Sequence, residues 1–342
     1  MKLCERITED ELWQKLEQIA IGTVTAGGLA AMGYYRDAWG KQFALEEDQK
    51  NPSTMADLQA TLSILRTCHS LLAPIAAKLP CILSYLGEET KHDDFLSKHL
   101  SDAVMSAKHS PDRFFEANEK SIRVIFDGID GTGNFDRGLP LFCTAAAILV
   151  EDQVRVSAIY DPIHHEVYSA VLPGEYNNPE LGAQASAWQV AGGNRVDMVE
   201  EAKARNKTYK QLSEEAIGIH LTRSEKNRPK LKEFVGCVGT ESMLERLAVN
   251  AGGVYALNSG IVAMVNVARG ALGGFVNIVT NPWDVAAGEV LVRACGGTVT
   301  DFGGNPIAYR RDEQVSVIAA KRHLHPQIKD LLNHRGSVEN GL

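Results

Sequence analysis

The densest chemistry in the chain falls in residues 124–140, VIFDGIDGTGNFDRGLP. A short apolar run meets Asp127, Asp130 follows three residues later, and glycines flank both. A strand that stops at Asp127 and turns on Gly128 and Gly131 directs two carboxylates and the Ile129 carbonyl at one point. Those are hard oxygen donors of the kind magnesium takes. If Thr132 opens a short helix, the Gly131 and Thr132 amides point outward at its positive end, where an anion binds. Cation and phosphate then share one loop. A solvated Asp-Gly turn uses the same residue types, so the segment alone leaves both readings open.

Two other segments add acids in comparable settings. Leu86-Gly87-Glu88-Glu89 puts paired acids directly after an apolar run, and Pro282-Trp283-Asp284-Val285-Ala286-Ala287-Gly288 puts an acid beside a tryptophan where a helix is expected to start. Taken singly, the first is an ordinary solvated turn and the second an ordinary helix cap.

The elements that must position these acids follow from periodicity. Thr8 with Glu11 is a capping box, and Leu12, Leu16, Ile19 and Val24 recur near helical spacing, so a long amphipathic helix opens the fold. A second helix, capped by Ser53 or Thr54 and carrying Leu58, Leu62 and Leu65 on one face, is expected to end before Pro74 or Pro80. Strands are expected at 81–86, 122–126, 142–150, 154–159 and 167–171. Beyond a polar stretch at 173–213, the pattern predicts a strand at 217–221, helices at 226–234, 259–268 and 284–293, and strands near Thr298 and Val315. The division suggested is an N-terminal half, residues 1–190, holding most of the acids, and a C-terminal half, residues 191–342, holding Asp284. The adjacent His164 and His165 are expected in a strand pair, on opposite faces, sharing no metal.

Composition sets the outer bounds. The chain has 342 residues, 44% of them hydrophobic and 23% charged, with 12 prolines, as in a globular protein of roughly two domain-sized units. Lys and Arg number 35 against 43 Asp and Glu, a net charge of −8, so neither a nucleic-acid backbone nor an anionic membrane is an expected partner. Cys4, Cys68, Cys81, Cys143, Cys237 and Cys295 show no metal spacing and read as reduced packing residues. The acidic N-terminus does not resemble a signal peptide, and the apolar run 139–150 is too short for a bilayer, so a cytoplasmic location is expected. Asp136 stands where a dinucleotide fingerprint needs glycine, and neither a P-loop nor a nucleophile elbow occurs.

The order and spacing of the acidic segments resemble the inositol monophosphatase family of magnesium-dependent, lithium-sensitive phosphatases. That family's Gly-Glu-Glu, Asp-Pro-Ile-Asp-Gly-Thr-x-Asn-Phe and Trp-Asp-x-Ala-Ala-Gly correspond to Gly87 through Glu89, Asp127 through Phe135 and Trp283 through Gly288. Residues 51–57, 159–168 and 296–301 continue the similarity, leaving insertions at about 91–121 and 173–213. The resemblance implies an α/β fold of the layered α-β-α-β-α sandwich type shared with fructose-1,6-bisphosphatase. It also implies hydrolysis of a small phosphate ester, inositol-1-phosphate or a related sugar phosphate, by metal-activated water, usually in a homodimer. Alternatives on the same scaffold are a 3′(2′),5′-bisphosphate nucleotidase, a fructose-1,6-bisphosphatase and a catalytically silent binding protein.

By residue, the resemblance implies that Glu88, Asp127, the Ile129 carbonyl, Asp130 and Asp284 hold two or three magnesium ions. Glu88 and Thr132 would flank the attacking water, with Asp57 orienting the threonine. Asp130, Gly131, Thr132, Ser259, Gly260 and Asn277 would face the substrate. Three positions depart from the family pattern: Gly128 replaces a proline, Asn258 a glycine, and Asn277 a glutamate that contacts substrate hydroxyls.

Overall fold

The computed structural model describes residues 8–35, 52–79, 81–91, 96–108, 121–173, 182–190, 195–205, 211, 213, 215–220, 243–310 and 313–333. The Thr8 hydroxyl accepts from the Glu11 N–H and the Glu11 carboxylate accepts from the Thr8 N–H, closing the expected capping box. From it runs α1 (Glu9–Met32), which packs against α2 (Pro52–Lys78). Of the two stops expected, α2 passes through Pro74 and ends at Lys78, before Pro80. Pro74 is exposed, so its ring meets solvent, while Ile75 and Ala76 beyond it are buried and anchor the last turn. The helix also begins ahead of Ser53 and Thr54. Among the described residues, only α2 is long and apolar enough to cross a bilayer, but Leu58, Leu62, Leu65 and Leu72 are buried within the protein.

The first sheet joins β1 (Ile82–Gly87), β2 (Ser121–Asp130), β3 (Cys143–Val150), β4 (Gln153–Asp161), β5 (Glu166–Val171), β6 (Gln184–Gln189) and β7 (Val196–Asp197) in that order. The pair β1–β2 is parallel, and the remaining pairs are antiparallel. Strands β6 and β7 lie within the polar stretch at 173–213, where no strand is expected. Short helices α3 (Asp102–Lys108), α4 (Thr132–Asp136) and α5 (Met198–Arg205) attach to this sheet. The second sheet has the order β11–β12–β10–β8–β9, from β8 (Ala216–His220), β9 (Gly253–Ala256), β10 (Gly274–Thr280), β11 (Gly297–Thr300) and β12 (Val315–Lys321). The expected helix at 226–234 lies outside the described residues.

Three apolar cores account for the layering. One sets α1 and α2 against the first sheet. The largest places α7 (Gly260–Ala268) and α8 (Ala286–Ala294) between the two sheets. The third packs α6 (Met243–Asn250) and α9 (His325–Asn333) on the far side of the second sheet. The result is the α-β-α-β-α sandwich. Cys68, Cys81, Cys143 and Cys295 are free thiols, three of them buried.

Helix α1 approaches the sheet closely because Gly28 has no side chain. A Cβ there would lie 2.4 Å from the Tyr160 ring, whereas one at Gly22 on the same helix meets nothing within 4 Å. Alanine gains roughly 1 kcal/mol over glycine in a helix interior, and overpacking costs about 1–3 kcal/mol. Gly22→Ala is therefore expected to stabilise the protein and Gly28→Ala to destabilise it. Urea unfolding midpoints that move in the same direction for both variants would refute this packing.

Candidate active site

Residues three apart in a regular strand point to opposite faces. Asp127 and Asp130 nevertheless share one, because β2 does not stop at Asp127 as the sequence suggested. It continues to Asp130 through a bulge: Asp127 pairs with Ala145 and Asp130 with Cys143, three residues on one strand against two on the other. The extra residue restores the phase, so both acids face α7 and α8. Asp127 turns its carboxylate onto the Ile129 N–H at 2.9 Å, and the Thr132 hydroxyl donates to the Ile129 carbonyl at 2.9 Å.

Asp284 arrives from the other half of the chain. It ends a 3-10 turn, Pro282–Asp284, two residues before α8, rather than opening that helix as expected. Its Oδ2 accepts from the Thr280 hydroxyl at 2.8 Å and the Asn281 N–H at 3.1 Å. Carboxylate oxygens of Asp127, Asp130 and Asp284 all lie within 4.8 Å of one another.

Two more acids flank this trio. Gly87 pairs with Phe126 in the parallel β1–β2 ladder, which sets Glu88 beside Asp127. Asp57 is buried in α2, and its backbone carbonyl lies 3.3 Å from where a Gly128 Cβ would be. Burial, and then the charges of Glu88, Asp130, Asp284 and Asp57, hold the Asp127 carboxyl well above the usual range. Burial and the Asp284 charge push Asp130 up to about 7, against the opposing hydrogen bonds from Ser259, Ile261 and Gly260.

Those bonds show where Ser259 and Gly260 are turned. Ser259 caps α7 by accepting from the Val262 N–H at 3.1 Å and donates its own proton to Asp130 Oδ2. The Ile261 and Gly260 amides donate to the same carboxylate at 2.7 and 3.3 Å. Asn277 is buried in β10, its side-chain oxygen accepting from the Val279 N–H at 3.3 Å. The turn at Gly131 has φ +96° and leads into α4.

Sequence reasoning missed two residues that shape this centre. Thr280 orients Asp284. Asn134, 2% exposed, donates both amide hydrogens, to the Leu141 carbonyl at 2.6 Å and the Leu257 carbonyl at 2.7 Å, tying the loop after α4 to the segment that precedes Ser259. Asn134 lies in the segment that resembles the family motif, but nothing local in the sequence shows which carbonyls its amide reaches. His164 and His165 lie in the β4–β5 turn rather than in strands. Their partners diverge, His164 bonding Asp161 at 2.7 Å and His165 facing the Tyr160 hydroxyl at 3.0 Å.

The donor set fits magnesium. All three converging groups are carboxylates, and the Cys143 sulfur, 3.9 Å from Asp130, has its thiol pushed well above its ordinary value by burial and by Asp130 and Asp127. Buried acids that raise each other's pKa form a site in which a divalent cation relieves the repulsion.

The sequence model of the inositol monophosphatase family matches residues 12–336. The chain belongs to that family. As an inositol monophosphatase family member it comes from a group that acts on small phosphate esters and is magnesium-dependent in general. Its curated relatives include Nus factor SuhB of Haemophilus influenzae, 31% identical over 219 residues, covering 64% of this chain and 68% of that protein. Nus factor SuhB of Pasteurella multocida is 28% identical over 189 residues, covering 55% of this chain and 60% of that protein, so the match to this relative spans about three-fifths of its length. The solved inositol monophosphatase from Anabaena matches with a TM-score of 0.60 at 20% identity, over 95% of this chain and 98% of that one, which establishes the shared fold.

Proposed function

We propose that the protein is a magnesium-dependent phosphomonoesterase acting on a small phosphorylated metabolite. The observation that carries this reading is the convergence of Asp127, Asp130 and Asp284 from distant segments to within 4.8 Å in a buried setting. Asp127, Asp130, Asp284, Glu88 and the Ile129 carbonyl are the proposed ligands of two or three ions. Bound magnesium supplies charge neutralisation at the phosphate and a water of lowered pKa.

The chain's own groups divide the remaining work. Thr132 donates a hydrogen bond to the Ile129 carbonyl, so its oxygen is left to accept from the attacking water, with Glu88 taking the water's proton and Asp57 acting as the orienting acid. The Gly131 and Thr132 amides bind phosphate oxygens. Ser259, Gly260 and their neighbour Ile261 hold Asp130 in one rotamer and so fix where its second oxygen points.

Inositol-1-phosphate or a related sugar phosphate is the proposed substrate class, in a cytoplasmic homodimer inhibited by lithium. Asn277 favours a second reading within the phosphatases. A neutral amide whose oxygen is bonded to Val279 offers less to polyol hydroxyls than an acid does, which suits a sugar bisphosphate or a 3′-phosphorylated adenosine nucleotide. The Nus factor names of the relatives leave a silent binding protein as the rival from another class.

Phosphate release from inositol, sugar and nucleotide monoesters, with and without magnesium and lithium, tests all of these together. Magnesium-dependent release from one ester class supports the reading, and release from none at any magnesium concentration refutes it.

A further inference from the structure

The like-charged trio needs something to hold its two arms together. Asp127 and Asp130 belong to β2, Asp284 to the turn before α8. The bonds from Thr280 and Asn281 fix Asp284 relative to β10 but not relative to β2. Apolar packing between the sheets sets a separation without fixing a direction, because dispersion and burial are non-directional.

A buried polar chain crosses that same gap. Arg123 lies on β2, four residues before Asp127 and on the same face, and is 5% exposed. Its Nη1 donates to the Tyr309 carbonyl at 3.0 Å and its Nε to the Ser84 hydroxyl at 3.4 Å. Tyr309, 7% exposed, belongs to the connection between β11 and β12, and its hydroxyl donates to Glu289 Oε2. Glu289, 1% exposed, sits on α8 five residues after Asp284, and its other oxygen accepts from Arg293 at 3.2 Å. The contact from Arg123 to the half-exposed Asp152 at 3.7 Å adds little. Each link is satisfied and directional, and in a low-dielectric interior such a network resists displacement.

We propose that Arg123, Tyr309 and Glu289 are positioning residues that hold α8, and with it Asp284, at ligand distance from Asp127 and Asp130. Cation affinity at the site is then set partly by residues that never touch the cation. The inference rests on the magnesium reading of the acidic trio. It goes beyond that reading in assigning a role to a connection far from it in sequence.

A structural role alone would also cost stability, so the test compares two kinds of damage. Y309F removes one hydroxyl and leaves the ring in place. E215Q breaks the buried Lys321–Glu215 pair, which lies where β12 pairs with the Gly274 end of β10, opposite the Thr280 end that adjoins Asp284. Magnesium binding is measured by calorimetry on the substrate-free protein, beside the melting temperature.

The expected result is a roughly tenfold rise in the magnesium dissociation constant for Y309F, the scale seen when outer partners of metal ligands are lost. E215Q should lose melting temperature with its affinity unchanged. If Y309F does not fold, R123M replaces it, and R123K, which keeps a cation within reach of the Tyr309 carbonyl, should recover most of the loss. A folded Y309F or R123M that binds magnesium within twofold of wild type overturns the inference. Equal affinity losses in Y309F and E215Q overturn it too. Wild-type protein that binds magnesium yet cleaves no ester removes the phosphatase reading while the affinity comparison still decides this one. Wild-type protein that binds none removes both.

Discussion

Asp284→Asn is expected to cut magnesium-dependent turnover by on the order of a thousandfold or more and, at the same time, to stabilise the metal-free protein. The loss follows from the role of the cation, worth several kcal/mol in the transition state, with each 1.36 kcal/mol a factor of ten. The gain follows from electrostatics. Like charges about 5 Å apart at an effective dielectric of 20 repel by roughly 3 kcal/mol per pair, part of which the folded protein sheds by retaining protons. An asparagine can still accept from Thr280 and Asn281 with its oxygen while presenting a neutral amide to Asp127 and Asp130. Function and stability should therefore move in opposite directions, which simple unfolding cannot produce. Steady-state phosphate release and thermal melting in chelator check the pair. A variant with wild-type turnover, or one that melts lower without metal, would count against the assignment.

The same repulsion fixes a pH dependence. Burial and the Asp284 charge push the Asp130 carboxyl up to about 7 from an ordinary value of 3.8. The native state therefore binds more protons than the unfolded chain between those values, and metal-free stability should rise as pH falls through that window. Magnesium reverses the sign, since its ligands must be deprotonated. With the cation present, affinity should climb with pH up to and beyond 7. Melting curves in chelator at about pH 5 and pH 8 decide the first statement, and calorimetric magnesium titrations over the same range decide the second.

How far the sequence reveals such a site depends on whether the signal is local. Thr8 and Glu11 announce their capping box because both partners lie within one turn, and the alternation of β3, β4 and β5 is visible because each strand repeats its own period. The acids were legible as separate local oddities at Glu88, Asp127, Asp130 and Asp284. Their meeting was not, since it depends on a parallel β1–β2 pairing and on α8 docking between two sheets. Glycine at 128 marks a bulge and a strand end equally well, so the bulge in β2 is not distinguishable from a strand end in the sequence. Pro74 stops most helices, but an exposed proline followed by buried residues does not stop this one. Arg123, Glu289 and Tyr309 carried no signal at all. They are 166 and 20 residues apart, and each alone is an ordinary charged or aromatic residue in an apolar neighbourhood.

Gly131→Ala is the second change expected to be severe, and it separates the phosphate-facing turn from the cation ligands. Two independent costs coincide there. The backbone sits at φ +96°, a region that L side chains rarely adopt, costing about 1–3 kcal/mol. A Cβ would lie 2.8 Å from the Leu141 carbonyl, 3.1 Å from the Ser259 Cβ and 3.2 Å from the Phe142 Cβ. The carbonyl cannot retreat easily, because Asn134 holds it at 2.6 Å, and Ser259 is committed to Asp130 and to the end of α7. The turn itself must shift, taking with it the Gly131 and Thr132 amides, while Asp284 keeps its bonds from Thr280 and Asn281 and Asp130 those from the Gly260 and Ile261 amides. Magnesium affinity should consequently change by less than tenfold, whereas kcat/KM falls by roughly a hundredfold, the scale of a one-ångström misplacement of reacting groups. Calorimetry and steady-state kinetics on one preparation make the comparison. Wild-type kcat/KM in the folded variant would show that this turn does not bind the phosphate.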